Sequence, residues 1–400
     1  MIKKLLPILG ITFVDILGFS ILIPTLPYFV THFGMAPWVV GVLASVFSLV
    51  QLISGPVWGN VSDRLGRKGV LIISQIGATI GWVMLAFAPN ILIVFIARII
   101  EGASGGNIGV TQAYVADLVE PKERSRAFGL IGAMFGCGMV FGPLIGSVTF
   151  LKFGFAGPFL AAAALQVVTL VITALMLPES RSKAEREDGE SVGFRDIIQT
   201  LNNPRFRPIL LQKGAVSMAL YGWYLVIALY FAAQLGFGQT QTDYAFSAFA
   251  LIGVFMNVFA VRGVSERTGD YRMANVGIAS LIVGFAFVPF VHSIGAMAAV
   301  MALFAFGQSL ANSGITAMIS NTANERDQGT VLGVSSSLDS AAGILAPPIS
   351  TGIFSRYGSG FAGVESLVFS LLALAIGIFV PHKAETHNGA PATEAPISEV

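Results

Sequence analysis

The sequence predicts an all-α integral membrane protein of twelve transmembrane helices arranged as two six-helix parallel repeats. Three observations carry that expectation. Apolar residues make up 54% of the 400 residues and charged residues only 11%, with a mean hydropathy of +0.77. Soluble domains carry about 25% charged residues, so this chain has too few charges to cover a water-facing surface. Runs of 18 or more nearly uncharged residues recur along its length, each long enough for a ~30 Å hydrocarbon core. Finally, Gly59-Asn-Val-Ser-Asp-Arg-Leu-Gly-Arg-Lys68 returns in part as Arg262-Gly-Val-Ser-Glu-Arg-Thr-Gly-Asp-Tyr271, at an offset of 203. A repeat at fixed offset between hydrophobic contexts marks a duplicated membrane unit.

Taken in order, the runs are 5–31, 38–60, 69–88, 91–117, 126–150, 156–177, 208–235, 243–264, 273–291, 295–319, 329–352 and 360–380. The first opens on Met-Ile-Lys-Lys like a secretory signal, but it contains Asp15, Pro24 and Pro27 and no small-x-small cleavage site. It is expected to remain as span 1. The second and third flank the charged loop, and the fourth carries Arg98 and Glu101. The fifth and eleventh answer each other through Gly142-Pro143 and Ala346-Pro347, at an offset of 204 between the prolines. Glycine and proline inside such runs are tolerated in membrane helices. Glu123-Arg124 after span 4 and Glu325-Arg326 after span 10 extend the repeat. The single cysteine, Cys137, lies in span 5, and the four histidines are scattered at loop and tail positions, so neither a disulfide nor a metal site is expected.

The domain reading follows: an N-terminal half (1–177), a charged linker (178–207), a C-terminal half (208–380) and a polar tail (381–400) expected to be disordered. Twenty of the 23 Lys and Arg fall in the N-terminus, the tail, or in or near the connections after even-numbered spans. By the positive-inside tendency both termini are cytoplasmic.

Gly59–Lys68 resembles the loop signature between spans 2 and 3 of the major facilitator superfamily, and Arg98-Ile-Ile-Glu-Gly102 resembles its span 4 signature. Gly138, Gly142, Pro143 and Gly146 resemble the fifth-span signature associated with exporters. Asp15 with Pro24-Thr-Leu-Pro27 resembles the first-span pattern of twelve-span drug–proton antiporters. Tyr114-Val-Ala-Asp117 followed by Glu123-Arg-Ser-Arg126-Ala-Phe-Gly129 is similar to the tetracycline-exporter branch. The resemblance implies the major facilitator fold, with spans 1, 4, 7 and 10 lining a central cavity.

It also implies a conformational gate. Asp63 would meet the start of span 11, where a helix N-terminus favours a carboxylate, and Arg67 would pair with Asp117. Gly59 would allow close packing and Gly66 a tight turn, with Arg64 and Lys68 adding charge. A loop held inside by positive charge alone needs neither the acid nor the glycines. The second loop copy has Asp270-Tyr271 in place of Arg67-Lys68, so only the first is expected to latch.

Asp15 lies ~15 Å into span 1 at 1.5 Å per residue. An acid at that depth costs roughly 2.5–3.5 kcal/mol to insert, and its default reading is functional; the bland alternative is a packing hydrogen bond, for example to Thr12. Arg98 and Glu101, three apart, share a helix face and a depth similar to Asp15, so the three form a candidate proton-coupling group with shared titration. Their alternative is a self-neutralised pair that stabilises span 4. Asp339, the only charge in span 11, is a further proton-coupling candidate or is satisfied by Ser335, Ser336 and Ser340. Glu365 is expected at the membrane interface. The glycine-rich 102–109 stretch has no preceding strand and no Gly-Lys-Ser/Thr, so helix packing accounts for it better than a phosphate loop. Tyr221 and Tyr224 of span 7 with Gln308 and Asn312 of span 10 are candidate substrate contacts.

The expected function is secondary active transport: a proton-coupled antiporter exporting a small amphipathic drug-like compound by alternating access, from a bacterial inner membrane, as a monomer. Its partners are the small-molecule substrate, protons and the lipid bilayer; no cofactor, nucleic acid or enzymatic role is expected. A proton-linked carrier of an endogenous sugar or lipid is the alternative.

Overall fold

In hydrocarbon every backbone polar group must be satisfied internally, so each long apolar run folds as a helix. The computed structural model describes residues 2–105, 107–119, 123–179, 199–323 and 328–379. Most of the expected linker and all of the expected tail lie outside them. The spans are Ile2–His32 (span 1), Trp38–Leu65 (2), Arg67–Ala86 (3), Ile91–Ser104 with Asn107–Leu118 (4), Arg124–Phe153 (5), Ala156–Met176 (6), Arg207–Leu235 (7), Gln239–Thr268 (8), Asp270–Phe287 (9), Ile294–Thr322 (10), Gln328–Tyr357 (11) and Val364–Phe379 (12). Eleven helices among the described residues are long and apolar enough to cross a membrane. Span 11 is long enough too, at 30 residues, but Ser335, Ser336, Ser337, Asp339 and Ser340 dilute its apolar middle.

Two boundaries differ from expectation. Span 8 starts at Gln239 rather than 243, which moves Asp243 from the helix end to its second turn. Span 4, expected as one run, breaks after Ser104. The break has a visible cause, because side chains of spans 2 and 3 take the carbonyls that a continuing helix would use. Ser54 Oγ donates to Gly102 O at 2.9 Å, Trp58 Nε1 to Ala103 O at 2.5 Å and Gln51 Nε2 to Gly105 O at 2.9 Å. Ser74 Oγ donates to Ser104 O. Helix-end carbonyls left without partners in lipid would be costly.

Spans 2 and 11, and spans 5 and 8, pack across the seam between the halves, while spans 1 and 7 are the most buried. One face of the molecule carries the junctions between spans 2 and 3 and between spans 8 and 9. On the opposite face the seam is tied shut. Tyr28 Oη donates to Phe237 O at 3.0 Å and lies 2.6 Å from Thr242 Oγ1. Gln239 Nε2 donates to Thr25 Oγ1 at 3.1 Å, and Ser45 Oγ to Ile344 O. A side chain at Gly41 would collide with Thr351 and the Pro347 backbone. The chain is thus a multi-pass membrane protein whose halves meet closely on one side and enclose a cavity near mid-depth.

Candidate functional site: the central cavity

The cavity has a volume of about 290 Å³ and is lined from both halves. Asp15, Gln51, Arg98, Glu101, Ser104, Gln166 and the two tyrosines Tyr221 and Tyr224 supply its polar surface. Phe19, Phe47, Trp82, Phe135, Leu225 and Pro347 contribute apolar walls. The break in span 4 opens onto it, since Glu101, Ser104 and Gly105 all reach the lining. Discontinuous helices at mid-membrane are where transporters place ligand sites.

The structure brings Asp15, Arg98 and Glu101 to this one cavity. Arg98 Nη1 donates to Glu101, and both residues are buried, at 3% and 5% exposure. The Arg98 guanidinium lies 4.2 Å from the centre of the Phe47 ring, a cation–π arrangement. Gly81 of span 3 makes room for the acid: a side chain there would run into Glu101 Cγ. Arg98 Nε and Glu101 Oε1 have no hydrogen-bond partner among the described residues. The pair is therefore not fully self-satisfied, unlike the packing-only alternative. Asp15 accepts from Gln166 Nε2 of span 6 at 3.3 Å, whereas Thr12 bonds back to Ile8 O at 3.0 Å.

The substrate candidates divide. Tyr221 and Tyr224 line the cavity with their rings edge to face, centres 6.5 Å apart. Gln308 stands behind them and donates to Tyr224 Oη at 2.5 Å. Asn312 does not reach the cavity. It sits one helical turn beyond Gln308, ~6 Å along the axis, in a shallow groove with Ser313, Thr316 and Ser320.

At the gate, span 3 follows span 2 with Gly66 as the only intervening residue, at φ 97°, where a side chain would be strained. Arg67 is 6% exposed, its Nε lies 3.4 Å from Asp117 Oδ2, and Nη1 donates to Ser62 Oγ. Its backbone N–H donates to Glu179 Oε1 at 2.8 Å, and Lys68 Nζ caps Ala174 O at 2.8 Å. Arg64 is exposed. The predicted contact of the Asp63 side chain with the start of span 11 lies outside the described residues. At Gly59, among the described residues, nothing lies within 4 Å of where a side chain would begin.

In span 5, Gly138 and Gly142 lie against span 1, and Ser20 Oγ donates to Gly138 O at 2.8 Å. Pro143 is buried, and Gly146 faces Asp243 of span 8. Asp339 is not satisfied by the neighbouring serines. It pairs with Lys213 Nζ of span 7 at 2.9 Å and accepts from Ser217 Oγ at 2.5 Å, one turn away from the cavity residue Gly343. Glu365 is not interfacial but 5% exposed. It faces span 7 at Gly222, whose missing side chain leaves the space that the carboxyl fills. Sequence reasoning also missed Gln51, Gln166, Phe47 and Trp82. The two amides were open to it as polar groups inside apolar runs; the aromatic rings had nothing to separate them from packing residues.

Comparison with known proteins agrees with this architecture. A family model described as Major Facilitator Superfamily matches residues 8–347 and 210–399. The tetracycline resistance protein, class C, of Escherichia coli is 28% identical over 382 residues, which cover 93% of this chain and 95% of that protein. Multidrug resistance protein 2 of Bacillus subtilis (strain 168) is 27% identical over 368 residues, covering 89% and 90%. A solved bacterial homolog of the human lysosomal transporter Spinster, inward-facing and unoccupied, superposes with a TM-score of 0.77 at 16% identity, covering 94% of this chain and 96% of that one. At that identity the likeness is one of fold. Twelve helices in two repeats around a central cavity, with a family match over most of the length, make this chain a member of the major facilitator superfamily, a transporter and not an enzyme.

Proposed function

We propose that the protein exports a small amphipathic, drug-like compound in exchange for protons. The observation that carries this reading is the cavity, in which three ionisable groups (Asp15, Arg98 and Glu101) stand among aromatic and aliphatic walls. Apolar walls with a few placed polar groups suit a drug-sized ligand, and carboxyls in such a site suit reversible protonation. The resistance proteins to which the chain is similar support export of drug-like compounds.

In this reading the face with the Gly59–Lys68 loop is cytoplasmic, both termini lie on that side, and the protein works as a monomer in a bacterial inner membrane. The compound enters from the cytoplasm while Asp15 is ionised. The halves then rock about the cavity, and protons from outside neutralise the carboxyls and release the compound. Arg67 and Asp117 hold the junction between spans 2 and 3 in register as the halves move, biasing the balance between states. Gly138, Gly142, Pro143 and Gly146 give span 5 a thin, bendable contact with span 1. The Lys213–Asp339 pair offers a second ionic site one turn from the cavity.

The test uses purified protein in liposomes that enclose a pH-sensitive dye, with a panel of cationic, neutral and zwitterionic drugs added under a proton gradient. Drug-triggered proton movement is expected in wild type and absent in Asp15→Asn at equal protein content. Equal movement in both would remove Asp15 from the coupling step, and silence across the panel would favour an endogenous substrate.

A further inference from the structure

Asp243 is a buried acid that the mechanism above does not use. It sits in the second turn of span 8, at 0% exposure. Neither carboxyl oxygen has a hydrogen-bond partner among the described residues. Its surroundings are the seam that closes the face opposite the loops. Thr242, next to it in sequence, contacts Tyr28 across the seam, and Gln239 one turn earlier bonds Thr25. On the span 5 side, a side chain begun at Gly146 would meet Asp243 Oδ2 at 3.8 Å.

Among the described residues, the ionisable group that faces Asp243 from a neighbouring element is the phenol of Tyr28. Span 10 carries no ionisable side chain along its length. Lys152 at the end of span 5 and His32 at the end of span 1 are exposed. Among the described residues no cation therefore balances a charge at Asp243, and a buried carboxylate with neither counter-ion nor hydrogen bond is strongly disfavoured against its neutral form. The internal repeat supplies a control. At the offset of 203 the position corresponds to Val40 of span 2, which is also 0% exposed. An apolar side chain fills the matching place in the first half, so packing does not call for an acid.

We propose that Asp243 is a proton-binding site built into the closing seam: the seam holds while Asp243 carries a proton and parts when the proton leaves to the outside water. This rests on the alternating-access part of the reading above but not on the identity of the transported compound. The site gives the far-side gate its own response to external pH, separate from titration in the cavity.

The seam is read by spin labels at His32→Cys and Ala233→Cys in a Cys137→Ala background, in lipid nanodiscs with no substrate present. A short-distance population is expected at acid pH, with a longer one growing as pH rises. Asp243→Asn should hold the short distance throughout, and Asp243→Glu should retain a transition with a displaced midpoint. An Asn variant that follows the wild-type transition, or a wild type with no transition, overturns the proposal. Should Asp243→Asn fail to fold, pH-difference infrared spectra of wild type and Asp243→Glu decide instead. A carboxylic-acid band lost over the pH range of the distance change, and displaced in the Glu variant, upholds the proposal; its absence overturns it. Neither readout involves efflux, so failure here and failure of the liposome assay are separate results.

Discussion

The junction between spans 2 and 3 and the junction between spans 8 and 9 share one geometry with different chemistry. Gly66 and Gly269 each stand alone between two helices, at φ 97° and 75°. Ser62 reaches Arg67 in the first, and Ser265 Oγ reaches Asp270 Oδ1 at 2.9 Å in the second. Arg67 pairs with Asp117, whereas Asp270 Oδ2 accepts from Asn321 Nδ2 at 3.0 Å. The four equivalences hold at offsets of 203 or 204. The same contrast recurs nearer the cavity. Gly81 lies against Glu101, and Gly284 lies against Phe304 at the matching position. The duplicated unit has kept its backbone joints and packing contacts, while at these matched positions the ion pairs stand in the first half. Geometry belongs to the fold; the charges are what distinguish one copy from the other.

That contrast breaks or sharpens under three pairs of substitutions. The largest effect is expected at Glu101. Glu101→Phe, which copies Phe304, leaves Arg98 buried without its partner and should cost about 3–5 kcal/mol. Adding Arg98→Met, which copies Met301 at the same offset, should restore most of that stability without restoring transport. Denaturant unfolding in mixed micelles measures both, and equal midpoints for single and double variants would mean that the ion pair is not what distinguishes the two sites. Arg67→Ala should cost roughly 1.5–3 kcal/mol through its bonds to Ser62 and Asp117. Asp270→Ala, at the less buried second junction, should cost about 1 kcal/mol. Equal costs would show that the charge at the first junction adds nothing to a shared scaffold. Smallest and most alike are Gly66→Ala and Gly269→Ala, each expected to lose about 1–2 kcal/mol because a β-carbon is strained at positive φ. A marked difference between these two would contradict a common backbone.

Much of this organisation was legible in the sequence. Twelve apolar runs and the repeat offset follow from hydropathy and spacing, and the convergence of Asp15, Arg98 and Glu101 follows from their depth together with the cavity that the family resemblance implies. The tertiary partners were not legible. Asp339 was read against serines on its own helix because Lys213 lies 126 residues away in sequence. Asp243 was hidden by the polar stretch Gln239-Thr-Gln-Thr242, which looked like a loop and moved the expected helix start past it. Glu365 was assigned to the interface by its position near a helix end, yet the space at Gly222 draws it inward. Gln308 and Asn312 share a helix face in sequence, but a single turn of depth separates the neighbour of a cavity tyrosine from a residue outside the cavity. Periodicity reports which face a residue occupies; it does not report what stands opposite.

The break in span 4 bears on how the protein is built. Ile91–Ser104 has 14 residues and is about 21 Å long, short of the ~30 Å hydrocarbon core. Its last carbonyls depend on Gln51, Ser54 and Trp58 of span 2 and on Ser74 of span 3. During synthesis those two spans leave the ribosome first, so their donors are waiting when the fourth arrives. A chain in which span 2 or span 3 were delayed or misoriented would present lipid with a helix too short to cross and an end that nothing completes. The order of the spans along the chain is thus also an order of assembly.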